Sequence, residues 1–145
     1  MNSENEKLLY FKNARIELEK VRFDKIESNE KNKEQLKIDI IDSYKVEYFD
    51  NRKLVFLFSR KVSLVPSSLF VIEVEYDVAL EFADNTKKEF TEKNDELGKL
   101  INNKIEKIIN LSCVPAKAST LISDLTMNNN GNPIVTPPSL IKKSL

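Results

Sequence analysis

The stretch LFVIEVEYDVALEF, residues 69–82, constrains the fold of this chain more than any other. Seven apolar residues occupy every second position from Phe70 to Phe82, and the positions between them carry mostly acidic side chains. Because side chains alternate between the two faces of a strand, this pattern predicts a β-strand with one buried face. A helix would spread the same side chains around its whole circumference.

Two more strands are predicted before this one, within residues 36–65. Apolar and polar residues alternate in LKIDI, residues 36–40, and apolar residues share a parity from Leu54 to Leu64. The residues between the two runs, Phe49 to Arg52, include an adjacent Asp and Asn. Both residue types favour turns, because their side chains bond to their own backbone and they tolerate left-handed dihedrals.

A fourth strand is predicted in ARIELEKVRFDKIE, residues 14–27, where the alternation changes phase. Ile16 and Leu18 share one parity, whereas Val21 and Phe23 share the other. A β-bulge between Leu18 and Val21 would bring all four side chains to one face. An amphipathic helix is the alternative, since the stretch also contains tolerable helix formers.

The apolar period changes after Asn94, a residue well suited to cap a helix. Apolar residues then recur at intervals of three and four up to Leu111, which predicts an amphipathic helix of about five turns. Pro115 interrupts the pattern, and a second helical stretch reaches the asparagines before Gly131. Three prolines forbid a helix beyond this point and leave an extended segment: Pro133, Pro137 and Pro138.

This order of four strands, two helices and one extended segment predicts an α+β domain. Short connections between consecutive strands favour an antiparallel meander with both helices on one face. We expect a flexible N-terminus at residues 1–13, one domain at residues 14–141 and a short tail at residues 142–145.

The charge balance argues against nucleic acid as a partner. Lys plus Arg and Asp plus Glu both number 23, so the formal net charge is zero. Phosphate binding requires a local basic surplus. The basic pairs Arg60–Lys61 and Lys142–Lys143 are interpreted as parts of a solvated surface.

The residues that enzymes most often use are scarce. The chain has no histidine and one cysteine, Cys113, which excludes zinc sites and Ser–His or Cys–His catalysis. With Gly98 and Gly131 as the only glycines, no glycine-rich phosphate loop can form. We therefore expect neither an enzyme nor a cofactor or metal. A lone thiol and the lack of a long apolar run predict a cytoplasmic protein without membrane insertion.

The order of elements, together with CVPAKASTLISDLTMNNNGNPIVTPPSLI at residues 113–141, resembles the SecB family of export chaperones. The family pattern is a proline, a helix with Ile-Ser near its middle, a glycine, and then a proline and apolar residues leading to a second proline. Its counterparts here are Pro115, Ile122–Ser123, Gly131, Pro133, Ile134–Val135 and Pro137. KIDI at residues 37–40 and LFVIEVE at residues 69–75 are similar to the family's second and fourth strands.

The resemblance implies a homotetramer, a dimer of dimers, that holds unfolded preproteins without ATP. Unfolded polypeptide clients would lie in apolar grooves between the sheet and the helices. The residues that would line such a groove are Val65, Pro66, Phe70, Ile134, Val135 and Pro137. The alternative is that these side chains pack the protein's own core.

The resemblance also implies a docking face for a SecA-type translocase motor. Val71 and Glu73 match its positions on the fourth strand, and Asp24 matches one of two carboxylates on the first strand. The second carboxylate position is occupied by Lys20, and this charge reversal opposes association with the motor. Two functions therefore remain open: a general holdase, or an interaction module dedicated to one partner such as an antitoxin or a phage protein.

Overall fold

The computed structural model describes residues 9–25, 37–65, 70–92, 94–130 and 133–141, without the side chains of residues 25, 64, 65, 70 and 128–130. Within these ranges, four strands are followed by three helices and an extended segment. The elements are β1 (Phe11–Lys25), β2 (Lys37–Phe49), β3 (Lys53–Val65), β4 (Phe70–Phe82), α1 (Asp84–Glu89), α2 (Asp95–Ser112) and α3 (Val114–Asn130). The fold is the predicted α+β arrangement, with α1 as an additional short helix.

The strands form one antiparallel sheet in the order β1-β4-β3-β2. The prediction of a meander is confirmed for β2, β3 and β4, but it is wrong for β1, which pairs with β4 instead of β2. The chain therefore crosses from one edge of the sheet to the other between β1 and β2. This arrangement places the two most apolar strands, β3 and β4, in the centre of the sheet, where each is hydrogen-bonded to a neighbouring strand along both of its edges.

Alternation along β3 and β4 defines the two faces of the sheet. The predicted apolar set of β4, from Ile72 to Phe82, is buried, and so are Leu54, Phe56 and Phe58 of β3. These residues form one core cluster with the apolar stripes of α2 and α3. We call the face that carries this core the inner face and the opposite face the outer face.

The bulge predicted in β1 is confirmed. The register between β1 and β4 shifts between Leu18 and Lys20, which keeps the apolar residues on both sides of the shift on the inner face. The strand begins at Phe11 rather than at Ala14, because the ring of Phe11 stacks on Phe82 with 5.0 Å between centroids. Residues 11–13 of the segment predicted to be flexible thus belong to the strand.

The two long helices have clear end signals. Asn94 caps α2 as predicted, because its side-chain oxygen accepts a hydrogen bond from the Leu97 backbone N–H at 2.7 Å. The break after α2 lies at Cys113, which adopts a left-handed conformation with φ of 66°. Pro115 therefore does not cause the break directly; it lies in the first turn of α3, where a missing N–H is tolerated. None of the described helices is long and apolar enough to cross a membrane.

Candidate functional site

The extended segment after α3, residues 133–141, lies along the inner face, and we call it the C-terminal strip. Side chains of α3 bind its backbone. The Ile134 N–H donates to the Thr126 hydroxyl oxygen at 2.6 Å, and the Ser119 hydroxyl donates to the Thr136 carbonyl at 2.6 Å. The strip is thus fixed against α3 through its main chain.

Arg60 lies underneath the strip, and its position corrects the sequence analysis. The prediction that Arg60 belongs to a solvated surface is wrong, since the residue is fully buried. Arg60 shares its strand parity with Phe58 and Val62, so it points to the inner face, whereas Lys61 is exposed on the outer face. Strand parity, rather than the dipeptide's charge, decides the environment of each side chain.

Each of the five N–H donors of the Arg60 guanidinium has an acceptor. Nε and Nη2 donate to the two carboxylate oxygens of Asp42, both at 2.7 Å. Nη1 donates to the Thr136 hydroxyl at 3.0 Å and to the Pro137 carbonyl at 2.5 Å, and Nη2 also donates to the Ser139 carbonyl at 3.0 Å. The planar fork therefore joins β2 to the strip with no donor unsatisfied.

Two further main-chain groups fix the end of the strip. The Ile141 N–H donates to Asp42 Oδ2 at 2.9 Å, and the Leu140 N–H donates to Asn110 Oδ1 at 2.7 Å. Residues of the sheet and residues of the helices thus jointly hold the strip in place. No sequence pattern points to these contacts, because each joins residues that are distant along the chain.

The predicted groove residues have different environments. Ile134 is half-buried and packs against the core, whereas Val135 is 79% exposed and Pro137 is exposed. Val65 ends β3 and Phe70 begins β4 at the same end of the sheet, but their side chains lie outside the described residues, as does all of Pro66. The groove assignment of these residues stays a prediction.

The inner face also carries apolar side chains that the helices leave uncovered. Leu18 and Val21 of β1 are 49% and 42% exposed, although they stand opposite buried residues of β4. Ile38 and Tyr44 of β2 are 49% and 40% exposed on the other edge strand. We call these four residues the apolar flanks. The sequence analysis did not predict that these side chains are exposed. Their exposure follows from the strand order, because β1 and β2 form the two edges of the sheet.

On the outer face the predicted docking residues are neighbours. Asp24 stands opposite Val71 in the register, and Arg22 stands opposite Glu73. Lys20 Nζ lies 3.3 Å from a Glu73 carboxylate oxygen, and Arg22 binds the Asp24 carboxylate. Both predicted carboxylates are therefore paired with cations of β1.

A further acidic group lies on the same face. Carboxylate oxygens of Glu17, Glu19 and Asp77 lie within 4.8 Å of one another. Arg15 binds Glu17, while Asp77 Oδ1 is buried and has no hydrogen-bond partner. Glu17 is already paired with a guanidinium, and a cluster of carboxylates is not by itself a metal site, so we assign no metal to it.

A separate cavity of about 430 Å³ lies between the start of β1 and the end of α2. Leu80 and Ile108 contribute to its wall, and Leu111, which is 67% exposed, contributes to its rim. The surface of the cavity is mostly apolar. It offers a second apolar surface on the helical side of the sheet.

Comparisons with known proteins identify relatives by structure alone. No protein-family model matches the chain, and no curated protein matches it in sequence. The SecB-like chaperone Rv1957 of Mycobacterium tuberculosis, solved in complex with a ChAD peptide from the HigA1 antitoxin, aligns with a TM-score of 0.60 and 11% identity over 89% of each chain. A Streptococcus agalactiae protein of unknown function aligns over 90% of this chain and 98% of its own, with 15% identity and a TM-score of 0.40.

The first of these alignments has a TM-score above 0.5 over most of the chain. At 11% identity it is a likeness of fold and not of individual residues. It agrees with the resemblance inferred from residues 113–141. The chain has the SecB-like fold.

Proposed function

We propose that the protein is a SecB-like chaperone that binds an extended segment of one dedicated partner polypeptide, such as an antitoxin. The observation that carries the proposal is the pair of apolar flanks on the inner face. Four large apolar side chains, each at least 40% exposed, border the helices of a fold that is used by a chaperone. Exposed apolar surface of this kind marks interaction sites.

The solved relative favours a dedicated partner. Rv1957 is described in complex with a peptide from an antitoxin, so this fold accommodates a segment of one specific polypeptide. We carry that property to the present chain as part of the proposal. Oligomerisation to a tetramer and a cytoplasmic location belong to the same proposal, as does a binding rather than an enzymatic role.

The outer face gives a reason to rank the export role second. Lys20 pairs with Glu73 and Arg22 pairs with Asp24, so the carboxylates that would attract a basic motor surface are locally neutralised. Charge complementarity governs association rate and specificity at such surfaces. A general holdase for exported proteins remains the second candidate, supported by the breadth of the apolar surface.

The proposal is tested by titrating the purified protein with the polypeptides encoded by its neighbouring genes and, separately, with a panel of heat-unfolded client proteins. We expect saturable binding of one neighbouring product and little suppression of client aggregation. Broad suppression of aggregation without a preferred partner would support the general holdase instead. Failure to bind any polypeptide would refute both roles.

A variant pair locates the binding surface. Leu18→Gln with Ile38→Gln should weaken partner binding at least tenfold, because burial of one such side chain contributes about 1.5–3 kcal/mol. Leu57→Gln, which changes a partly exposed leucine on the outer face of β3, is the matched control and should leave the affinity unchanged. Equal affinities for all three proteins would exclude the apolar flanks as the binding surface.

A further inference from the structure

The hydrogen bonds of the C-terminal strip are made almost entirely through its main chain. Six backbone groups are bound by side chains of the rest of the protein: the N–H groups of Ile134, Leu140 and Ile141 and the carbonyls of Thr136, Pro137 and Ser139. The Thr136 hydroxyl is the one strip side chain among the described residues with a recorded hydrogen bond to that frame. Any extended chain can make such hydrogen bonds, so selectivity for one partner would come from apolar side chains that pack beside them, as those of Ile134 and Leu140 do here.

Arg60 suits a contact that forms and breaks. A buried arginine contributes little net stability compared with an apolar residue, so its use here calls for another reason. When the strip leaves, water can reach the guanidinium, while the two bonds to Asp42 remain in place. The two N–H groups released from the Pro137 and Ser139 carbonyls are then available to carbonyl groups of another extended chain.

The ends of the strip differ in how they are held. Ile134 is bound to Thr126 on the helix that directly precedes the strip, so this end cannot move far. Residues 137–141 are held by Arg60, Asp42 and Asn110, which lie far away in sequence. Release of residues 137–141 therefore breaks these contacts and withdraws Leu140 from the edge of the core, while the end bound to Thr126 stays in place.

We propose that residues 137–141 are an internal ligand in a polypeptide-binding site formed by Arg60, Asp42 and Asn110. An extended segment of the partner polypeptide occupies the same site when the strip is displaced, by offering its own carbonyls to Arg60 and its own N–H groups to Asp42 and Asn110. The inference rests on the proposed function for the identity of its ligand. It adds that partner and strip compete, so the free protein is self-inhibited.

The test uses a fluorescent synthetic peptide with the sequence of residues 133–143, PIVTPPSLIKK, measured by fluorescence anisotropy. A chain truncated after Thr136 should bind this peptide at least tenfold more tightly than the full-length chain does, since the internal competitor is gone. Circular dichroism establishes that the truncated chain is folded. A folded truncated chain that binds no better than the full-length chain would overturn the proposal.

A gentler variant keeps the test valid if truncation disturbs folding. Leu140→Ala shortens the strip side chain that packs against the core and leaves Arg60, Asp42 and Asn110 unchanged. The internal ligand is then easier to displace, so the strip peptide should bind roughly twofold to tenfold more tightly than it binds the unmodified full-length chain. Val135→Ala, at a strip position that is 79% exposed, is the matched control and should bind as the unmodified chain does. Equal binding by the two variants would contradict the inference.

A modified peptide separates main-chain recognition from apolar contact. N-methylation of the amides that correspond to Leu140 and Ile141 removes the two donors to Asn110 and Asp42 and preserves every side chain. The methylated peptide should lose at least tenfold in affinity for the truncated chain, and unchanged affinity would refute main-chain recognition. This measurement uses the strip peptide, whereas the proposed function is tested with neighbouring gene products. The self-inhibition inference and the proposed function can therefore each fail without the other.

Discussion

Arg60 and Asp42 face each other across β3 and β2, joined by two hydrogen bonds of 2.7 Å, and both side chains are fully buried. The pair is geometrically favourable, because a guanidinium and a carboxylate match in a fork-to-fork arrangement. It also forms the floor on which the C-terminal strip lies. The interaction between Arg60 and Asp42 therefore affects both the stability of the fold and the binding of the strip at the candidate site.

Arg60→Met should destabilise the protein strongly. The substitution leaves the Asp42 carboxylate buried without its cation, and removing one partner of a buried pair costs about 3–5 kcal/mol. Urea denaturation followed by circular dichroism measures the change in the free energy of unfolding. Arg60→Met with Asp42→Leu should recover part of the loss, because no unpaired charge then remains.

Lys61→Met is the matched control for this series. Lys61 is the adjacent cation of β3 but it is exposed on the outer face, so its replacement should change stability by no more than about 0.5 kcal/mol. A loss at Lys61 as large as that at Arg60 would contradict the assignment of the two side chains to opposite faces.

Cys113→Gly should stabilise the protein. Cys113 has a φ of 66°, in the left-handed region that costs a residue with a Cβ roughly 1–2 kcal/mol and that glycine adopts freely. After allowance for the greater freedom of glycine in the unfolded chain, we expect a gain of about 0.5–1 kcal/mol. Thermal unfolding measures it, and Cys113→Ser, which retains a Cβ, should give no such gain.

The sheet could be predicted from the sequence wherever one strand carries its own signal. Alternation identified β4, and the change of phase between Leu18 and Val21 located the bulge in β1. The position of β1 beside β4 could not be predicted, because pairing depends on residues far apart in sequence. The short helix α1 was missed for a different reason, since six residues give too little periodicity to detect.

The candidate site was less predictable than the fold. The prolines indicated that the C-terminal strip is extended, but nothing in its sequence shows that Arg60 binds its carbonyls. Arg60 was assigned to the surface because its neighbour Lys61 suggested a basic patch. The parity of Phe58 and Val62 already placed Arg60 inside, so an arginine within an alternating apolar run is a usable signal for a buried ion pair.

Stability should fall at acidic pH through Asp50. Burial by itself would raise the pKa of Asp50, but hydrogen bonds from the Tyr48 hydroxyl and from the N–H groups of Arg52 and Lys53 outweigh it and lower the pKa. A lowered folded-state pKa means that ionised Asp50 stabilises the fold. This contribution is fully present above the unfolded-state pKa of about 3.9 and is lost as the pH falls through the folded-state value.

Asp50→Asn should therefore flatten the dependence of unfolding free energy on pH below about pH 5, as measured by urea denaturation at a series of pH values. Tyr48→Phe removes one of the hydrogen bonds to Asp50 and should give an intermediate slope. If Asp50→Asn lost as much stability between neutral and acidic pH as the unmodified protein does, other carboxylates would have to account for the acid sensitivity.

Gly98→Ala should not give the stabilisation expected from helix propensity, which is about 1 kcal/mol for a glycine in a helix interior. A Cβ at this position would lie 3.0 Å from Cζ of Phe49, where α2 approaches the end of β2. In a Phe49→Leu background the ring is absent, and Gly98→Ala should then stabilise by up to about 1 kcal/mol. Asn103→Ala, at an exposed position of the same helix, should have the same effect in both backgrounds. A double-mutant cycle of unfolding free energies measures the coupling, and a value near zero would mean that Phe49 does not set the distance between α2 and the sheet.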